Sequence, residues 1–276
     1  MPRLAWLTDI HLNFVKPPTG IEAFLEGLRR QAPSGVLISG DIGEAPKLID
    51  LLQLIDDCLQ LPVYFVLGNH DFYRGSIASM RRKVRMLCKQ RPNLKYLTLA
   101  DEPIALSLNT GLIGHDGWAD GRAGDYERST VMLNDYLVIR ELAGLSLPQR
   151  KEQLQRLADE AALHLRRLLT DALGQFEQVI LMTHVPPFLD LCRHEGEPLD
   201  DNWAPHFCSV TLGETIREVM AGFTQRKLTV LCGHLHEAHE HDPLPNVSAA
   251  VGGAVYGQPA IVKLIDLPER RITNSG

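Results

Sequence analysis

The sequence predicts an α/β fold: two β-sheets packed as a sandwich and flanked by helices, in one domain with a helical insertion. Three observations carry this. Five short apolar runs, LAWLTDIH, GVLISGDI, PVYFVLGNHD, QVILMTHVPP and LTVLCGHLH, each lead into Gly, Asp or His. Unbroken apolar runs of that length suit strands buried on both faces. Helical patterns over about 19–31, 46–60 and 76–90 alternate with the first three runs, which implies βαβ units. The last part of the chain is richer in short strand and turn patterns.

Beyond the third helix, residues 95–115 read as two or three antiparallel strands. The strongest helical period follows, over about 147–173. Leu154, Leu157, Ala158, Ala161, Leu165, Leu168, Leu169 and Ala172 form its apolar stripe. Ser146 and Gln149 have capping-box spacing, Pro148 sits in the first turn, and Gly174 can end the helix. Because this helix interrupts the strand pattern, about 120–175 reads as an insertion. SAAVGGAVYGQPAIVKLIDL and then RRITNS read as short strands joined by turns. There is no internal repeat and no low-complexity segment.

Bulk properties narrow the class. Apolar residues at 45% and charged residues at 22% suit a soluble globular chain. A net charge of −6 disfavours a chain that tracks long nucleic acid through its overall field. No apolar run approaches the ~18 residues of a membrane span, and a strand from the third residue leaves no room for a signal peptide. Cys58, Cys88, Cys192, Cys208 and Cys232 are scattered, with no CxxC pair. That spacing predicts a reduced, cytoplasmic protein without disulfides or a thiolate zinc site.

The chemistry is concentrated where the apolar runs end. The first run gives Asp9 and His11, the second Gly40-Asp41, and the third Gly68-Asn69-His70-Asp71. Later runs give His184 and Gly233-His234-Leu235-His236. Alone, Gly40-Asp41 or Gly-Asn-His-Asp would read as a turn. In an extended segment, period-two spacing places Asp9 and His11 on one face, and likewise His234 and His236. Side chains from several strand ends converge in the crevice beyond the carboxyl edge. Two Asp, one Asn and four His make seven donors, more than one ion needs. The count suggests two metals sharing a carboxylate. Imidazole and oxygen without thiolate suit Mn, Fe, Zn, Co or Ni.

This ordered set, Asp9-x-His11, Gly40-Asp41, Gly68-Asn69-His70-Asp71, His184 and Gly233-His234-x-His236, resembles the calcineurin-like metallophosphoesterase superfamily. The resemblance implies a four-layer αββα fold and a phosphoesterase with two divalent ions, Mn or Fe preferred. It implies Asp9, His11 and His236 on one metal, Asn69, His184 and His234 on the other, and Asp41 bridging, with a water or hydroxide between. His70 would protonate the leaving oxygen, and Asp71 would orient His70. The Asp-Arg-Gly stretch of the family's Ser/Thr protein phosphatases is absent after Asp41, and Asp71 stands where they carry Glu. The expectation is therefore a small phosphate ester as substrate, with a phosphodiester or nucleotide preferred. A nuclease is the alternative, and a non-catalytic binding module of the same fold is the third reading.

Weaker candidates lie elsewhere. His115 could line a substrate cleft, although a loop histidine without a ligand role is the plainer reading. The loop 188–208 carries Phe188, Trp203 and Phe207, with His194 and His206, and could select substrates. His164, His239 and His241 read as solvated. The basic run 81–91 reads as a solvated helix face, since no aromatics interleave for base stacking. Cys232 reads as a small core residue.

Overall fold

In the computed structural model, residues 2–267 are described. Chain order is β1 (Arg3–Leu7), α1 (Thr19–Arg30), β2 (Gly35–Ser39), α2 (Ala45–Leu59), β3 (Val63–Val66), α3 (Ile77–Gln90), β4 (Leu94–Tyr96), β5 (Ile104–Ala105), β6 (Thr110–His115), α4 (Asp135–Val138) and α5 (Leu147–Gln175). It continues with β7 (Gln178–Thr183), β8 (Arg193–His194), β9 (Glu197–Pro198), α6 (Val210–Ala221), β10 (Lys227–Cys232), β11 (His239–Leu244), β12 (Val247–Val251) and β13 (Lys263–Asp266). One sheet has the order β13-β1-β2-β3-β4 and the other β11-β12-β10-β7-β6-β5. β8 and β9 form a separate hairpin.

Strand pleating explains why the apolar runs are continuous. Successive side chains point to opposite faces. Leu4 and Trp6 of β1, Leu37 of β2 and Val66 of β3 meet Ile180 and Met182 of β7 and Leu231 of β10 between the sheets. Their neighbours Ala5, Leu7, Val36 and Ile38 pack under α1–α3. On the far side, Val179, Leu181 and Val230 pack under α5 and α6 through Leu165, Leu168, Leu169, Leu212 and Ile216. The result is four layers, helices on sheet on sheet on helices, as expected.

Three readings change. Residues 95–115 are not a run of antiparallel strands. β4 adds in parallel to β3, and only β5 and β6 pair antiparallel. The segment 120–175 is the crossover joining β6 to β7, which are parallel neighbours. A parallel pair needs such a connection, normally helical, so α5 belongs to the outer layer. Gly174 lies inside α5, which ends one residue later. The Gln149 carbonyl accepts from the Ser146 N–H at 3.1 Å, as a capping box requires. The stretch before RRITNS contains β12 and β13, and RRITNS itself lies outside the described residues.

Candidate metal centre

The parallel strands of both sheets end along one edge, and the donor residues sit on the loops just beyond it. Asp9 and His11 follow β1, Asp41 follows β2, and Asn69 and His70 follow β3. From the second sheet, His184 follows β7 and His234 and His236 follow β10. Asp9, His11 and Asp41 have φ of 48°, 39° and 53°, and His234 and His236 have 77° and 60°. Five donor residues therefore hold the left-handed region, which costs a non-glycine residue of the order of 1–3 kcal/mol. The period-two argument for these pairs fails, because neither segment is extended. The turns are what aim the side chains. They are held by backbone bonds from Asp9 N–H to Gly40 and from His11 N–H to Asp41, at 3.0 and 2.9 Å.

Two donor clusters share Asp41. Asp9, His11, Asp41 and His236 each offer an atom within 4.8 Å of the others. His11 Nε2 and His236 Nε2 lie 3.1 Å apart, and His236 Nε2 lies 3.3 Å from Asp9 Oδ1. Two imidazole lone pairs can face each other at that distance only with a proton or a cation between them. In the second cluster, Asn69 Oδ1 lies 3.0 Å from His184 Nε2 and 3.1 Å from His234 Nδ1. Asp41 Oδ2 faces His11 Nε2 at 3.6 Å, and its Oδ1 faces His184 Nε2 at 3.5 Å. One carboxylate oxygen thus serves each cluster. Imidazoles, carboxylates and an amide oxygen without thiolate suit borderline divalent ions.

Partners outside the clusters orient the donors. His184 Nδ1 bonds the Ser39 carbonyl at 2.9 Å, leaving Nε2 for the centre. Asn69 Nδ2 donates to Asp135 Oδ1 at 2.9 Å, which turns Oδ1 inward. Tyr73 donates to the same Asp135 oxygen at 2.6 Å. Glycine is required where backbone meets donors: a Cβ on Gly68 would lie 2.1 Å from Asp41 Oδ1, and one on Gly233 2.2 Å from Asp9 Oδ2. Burial raises the Asp41 carboxyl, but His184, His70 and His11 outweigh it and hold it well below the usual range. Burial lowers His184, yet Asp41 and Asp9 push it up to about 10. Burial also depresses His234, to about 3.

His70 lines the cleft in front of the clusters. Its ring stacks on Tyr73 with centroids 4.1 Å apart, and its backbone N–H donates to Asp41 Oδ1 at 2.9 Å. The expected Asp71–His70 bond is not formed. Asp71 accepts instead from the N–H groups of Gly43 and Gly68, at 2.9 and 2.8 Å, and so ties two donor loops together. His70 Nδ1 is buried without a partner among the described residues.

The remaining candidates divide. Trp203 and Phe207 line the cleft, with the Phe207 ring 4.8 Å from that of His234. His194 lines it as well. Phe188 does not; it is buried against α6 in the outer core. His115 is not in the cleft: it is buried, accepts from Gly117 N–H at 3.1 Å, and packs against His164 at 5.4 Å. Its strand turns it toward α5. His164 is accordingly half-buried rather than solvated. His206 is buried between Ser129 and Tyr136, at 2.8 and 2.6 Å. His239 and His241 are partly buried on β11, facing Arg193 and Asp190. In the basic run, Arg81 is drawn inward by fully buried Asp116 at 2.9 Å. Cys232 is core, as expected.

Sequence reasoning missed Tyr73, Asp135 and Tyr256. The Tyr256 ring lies 4.4 Å from His11 and 4.9 Å from His236. Tyr73 follows His70 by one short helical turn, a spacing that could have shown it. Asp135 and Tyr256 reach the site from distant loops and carry no local signal.

Such a shared-carboxylate, two-cluster arrangement between two sheets defines the class of dinuclear metallohydrolases. The calcineurin-like phosphoesterase model matches residues 2–238. The chain belongs to that family, whose members are metal-dependent hydrolases of phosphoric esters. A UDP-2,3-diacylglucosamine hydrolase from Stenotrophomonas maltophilia is 31% identical over 114 residues, which is 37% of this chain and 44% of that protein. The chain thus matches less than half of that relative's length. A phosphopantetheinyl hydrolase structure from Mycobacterium tuberculosis aligns with TM-score 0.67 at 13% identity, over 93% of this chain and 90% of that one. A dimetal phosphatase from Danio rerio aligns with TM-score 0.57 at 13% identity, over 94% and 89%. At those identities the likeness is one of fold.

Proposed function

We propose that the centre hydrolyses a small phosphate ester, a phosphodiester by preference, with two divalent ions, Mn or Fe favoured. The observation that carries this is Asp41, whose two oxygens face His11 and His184 in separate donor clusters. Asp9, His11 and His236 hold one ion; Asn69, His184 and His234 hold the other. Two such ions polarise a phosphoryl oxygen and lower the pKa of water toward ~7.

His70 lies in front of the clusters and gives its proton to the departing alkoxide. General-acid help of this kind is worth ~10²–10⁴-fold. Tyr73, stacked on it, fixes the plane of the ring. Asp71 acts one step back, by fixing the loops that carry Asp41 and Asn69. Trp203 and Phe207 contact the substrate beyond its phosphate.

The test is reconstitution with Mn, removal of free metal, and measurement of bound metal and turnover together. Two ions per chain with turnover of a chromogenic phosphodiester is expected. Full activity at a firm stoichiometry of one would sink the dinuclear reading. Digestion of single-stranded DNA faster than the small ester would transfer the assignment to a nuclease. Among the described residues, no helix is long and apolar enough to cross a membrane, which is compatible with a substrate met in water.

A further inference from the structure

The cavity in front of the metal centre holds about 630 Å³ and has an unusual charge distribution for a phosphate site. Among the described residues that line it there is no lysine and no arginine. Beyond the centre, its ionisable groups include the carboxylates of Asp135 and Asp200. The guanidiniums next in sequence to lining residues are turned elsewhere: Arg74, beside Tyr73, to Glu44, and Arg193, beside His194, to His239 and the Gly196 carbonyl. Positive charge in the cavity could therefore come only from bound ions and from the lining histidines His70, His194, His234 and His236.

Proteins that bind additional phosphates meet them with arginine forks or lysines. A second phosphate here would meet no arginine or lysine on the wall and would face the exposed carboxylate of Asp200 at the rim. Apart from Asn134 and His194, the remaining wall is apolar or aromatic. Pro198, Leu199, Trp203, Phe207 and Leu235 contribute to it, and so does Tyr256, whose ring lies beside His11. Trp203 and Tyr256 are 44% and 48% exposed. Large aromatics left that open at the mouth of a cleft are ready contact surfaces. Trp203 and Phe207 lie with centroids 6.0 Å apart and ring planes at 44°, so together they form an angled aromatic platform.

We propose that this cavity selects phosphodiesters with a single phosphate and an apolar, uncharged non-leaving arm, held by Trp203, Phe207 and Tyr256. The carboxylate of Asp200 works against substrates that carry further phosphates. This rests on the phosphodiesterase reading above.

Four nitrophenyl phosphodiesters with one common leaving group test it on the Mn-loaded protein. Their non-leaving arms are methyl, phenyl, 5′-thymidyl, and 5′-thymidyl bearing a 3′-phosphate. The phenyl ester should exceed the methyl ester in kcat/KM on the order of tenfold, the worth of one aromatic contact. The 3′-phosphate should lower kcat/KM by a similar factor relative to plain thymidyl. Trp203→Ala should collapse the phenyl-to-methyl ratio toward one, and Asp200→Asn should shrink the penalty for the 3′-phosphate. Hydrolysis of all four at a flat ratio, or fastest hydrolysis of the ester bearing the 3′-phosphate, overturns the specificity while leaving a phosphodiesterase. An unchanged ratio in Trp203→Ala overturns the role of the platform. If the loaded protein hydrolyses none of the four, the phosphodiesterase reading fails and the inference falls with it.

Discussion

Asp135 offers the sharpest perturbation of the centre, because it touches no proposed metal position yet aims a ligand. It is 4% exposed, and both its bonds, from Tyr73 and from Asn69, arrive at Oδ1, at 2.6 and 2.9 Å. Asp135→Ala leaves two buried donors without that acceptor. At ~1–3 kcal/mol for each stranded group, global stability should fall by about 2–6 kcal/mol. Asn69 is also freed to rotate, so the ion in its cluster should bind ~10–100-fold more weakly. The ion held by Asp9, His11 and His236 should keep its affinity. Calorimetric titration of metal-free protein with Mn should then resolve one unchanged and one weakened equivalent. Asp135→Asn is the control. Its amide oxygen can occupy the single accepting position, so most of the affinity should return. Two unchanged equivalents in Asp135→Ala would refute the positioning argument. An equal loss in Asp135→Asn would mean that the charge, not the aim of Asn69, is what matters.

His70→Ala should retain both ions and lose on the order of 10²–10⁴ in turnover of alkyl esters, less for nitrophenyl esters, whose leaving group needs little protonation. Equal losses for both kinds of ester would argue against proton donation. Asp41→Ala should lose both equivalents in the same titration, whereas His236→Ala should lose one, because only Asp41 faces both clusters. Gly68→Ala should reduce metal binding as severely as loss of a ligand, since its Cβ would sit 2.1 Å from Asp41 Oδ1; normal metal content in that variant would mean that the loops relax freely. His115 is depressed by burial to about 3, below its ordinary 6.5. The unfolded chain then binds the extra proton, so stability is complete above pH 6.5 and falls toward pH 3, by up to ~1.4 kcal/mol per pH unit. Urea melts of metal-free protein should show a shallower acid slope for His115→Gln.

The donors were legible because each closes an apolar run. A strand end is marked by local sequence, and parallel strands bring such ends to one edge. What aims them was not. The left-handed turns at Asp9, His11, His234 and His236 depend on bonds between loops, such as Asp9 to Gly40, that no window of sequence contains. Asp71 was misjudged for the same reason. Its neighbour in sequence is His70, while its partners in space are Gly43 and Gly68. α5 was clear as a helix from its period and cap, yet its place as a crossover required knowing that β6 and β7 are parallel neighbours. His115 followed an apolar run like the proposed donors; its strand runs parallel to the one that carries His184, and only the face it takes, toward His164 of α5, separates it from them.

The shared edge of the two sheets has one more consequence. Each donor cluster draws residues from both halves of the chain: His236 joins Asp9 and His11, and His184 and His234 join Asn69. A nascent chain that has paired β1 to β4 still lacks His236 for one position and both imidazoles for the other. Complete metal positions therefore form only after the two sheets have met, so bound metal would act as a late rivet between them rather than a template for early folding. A chain truncated before His184 should hold neither ion with the affinity of the full protein, and a separately made C-terminal piece that docks onto it should restore both at once.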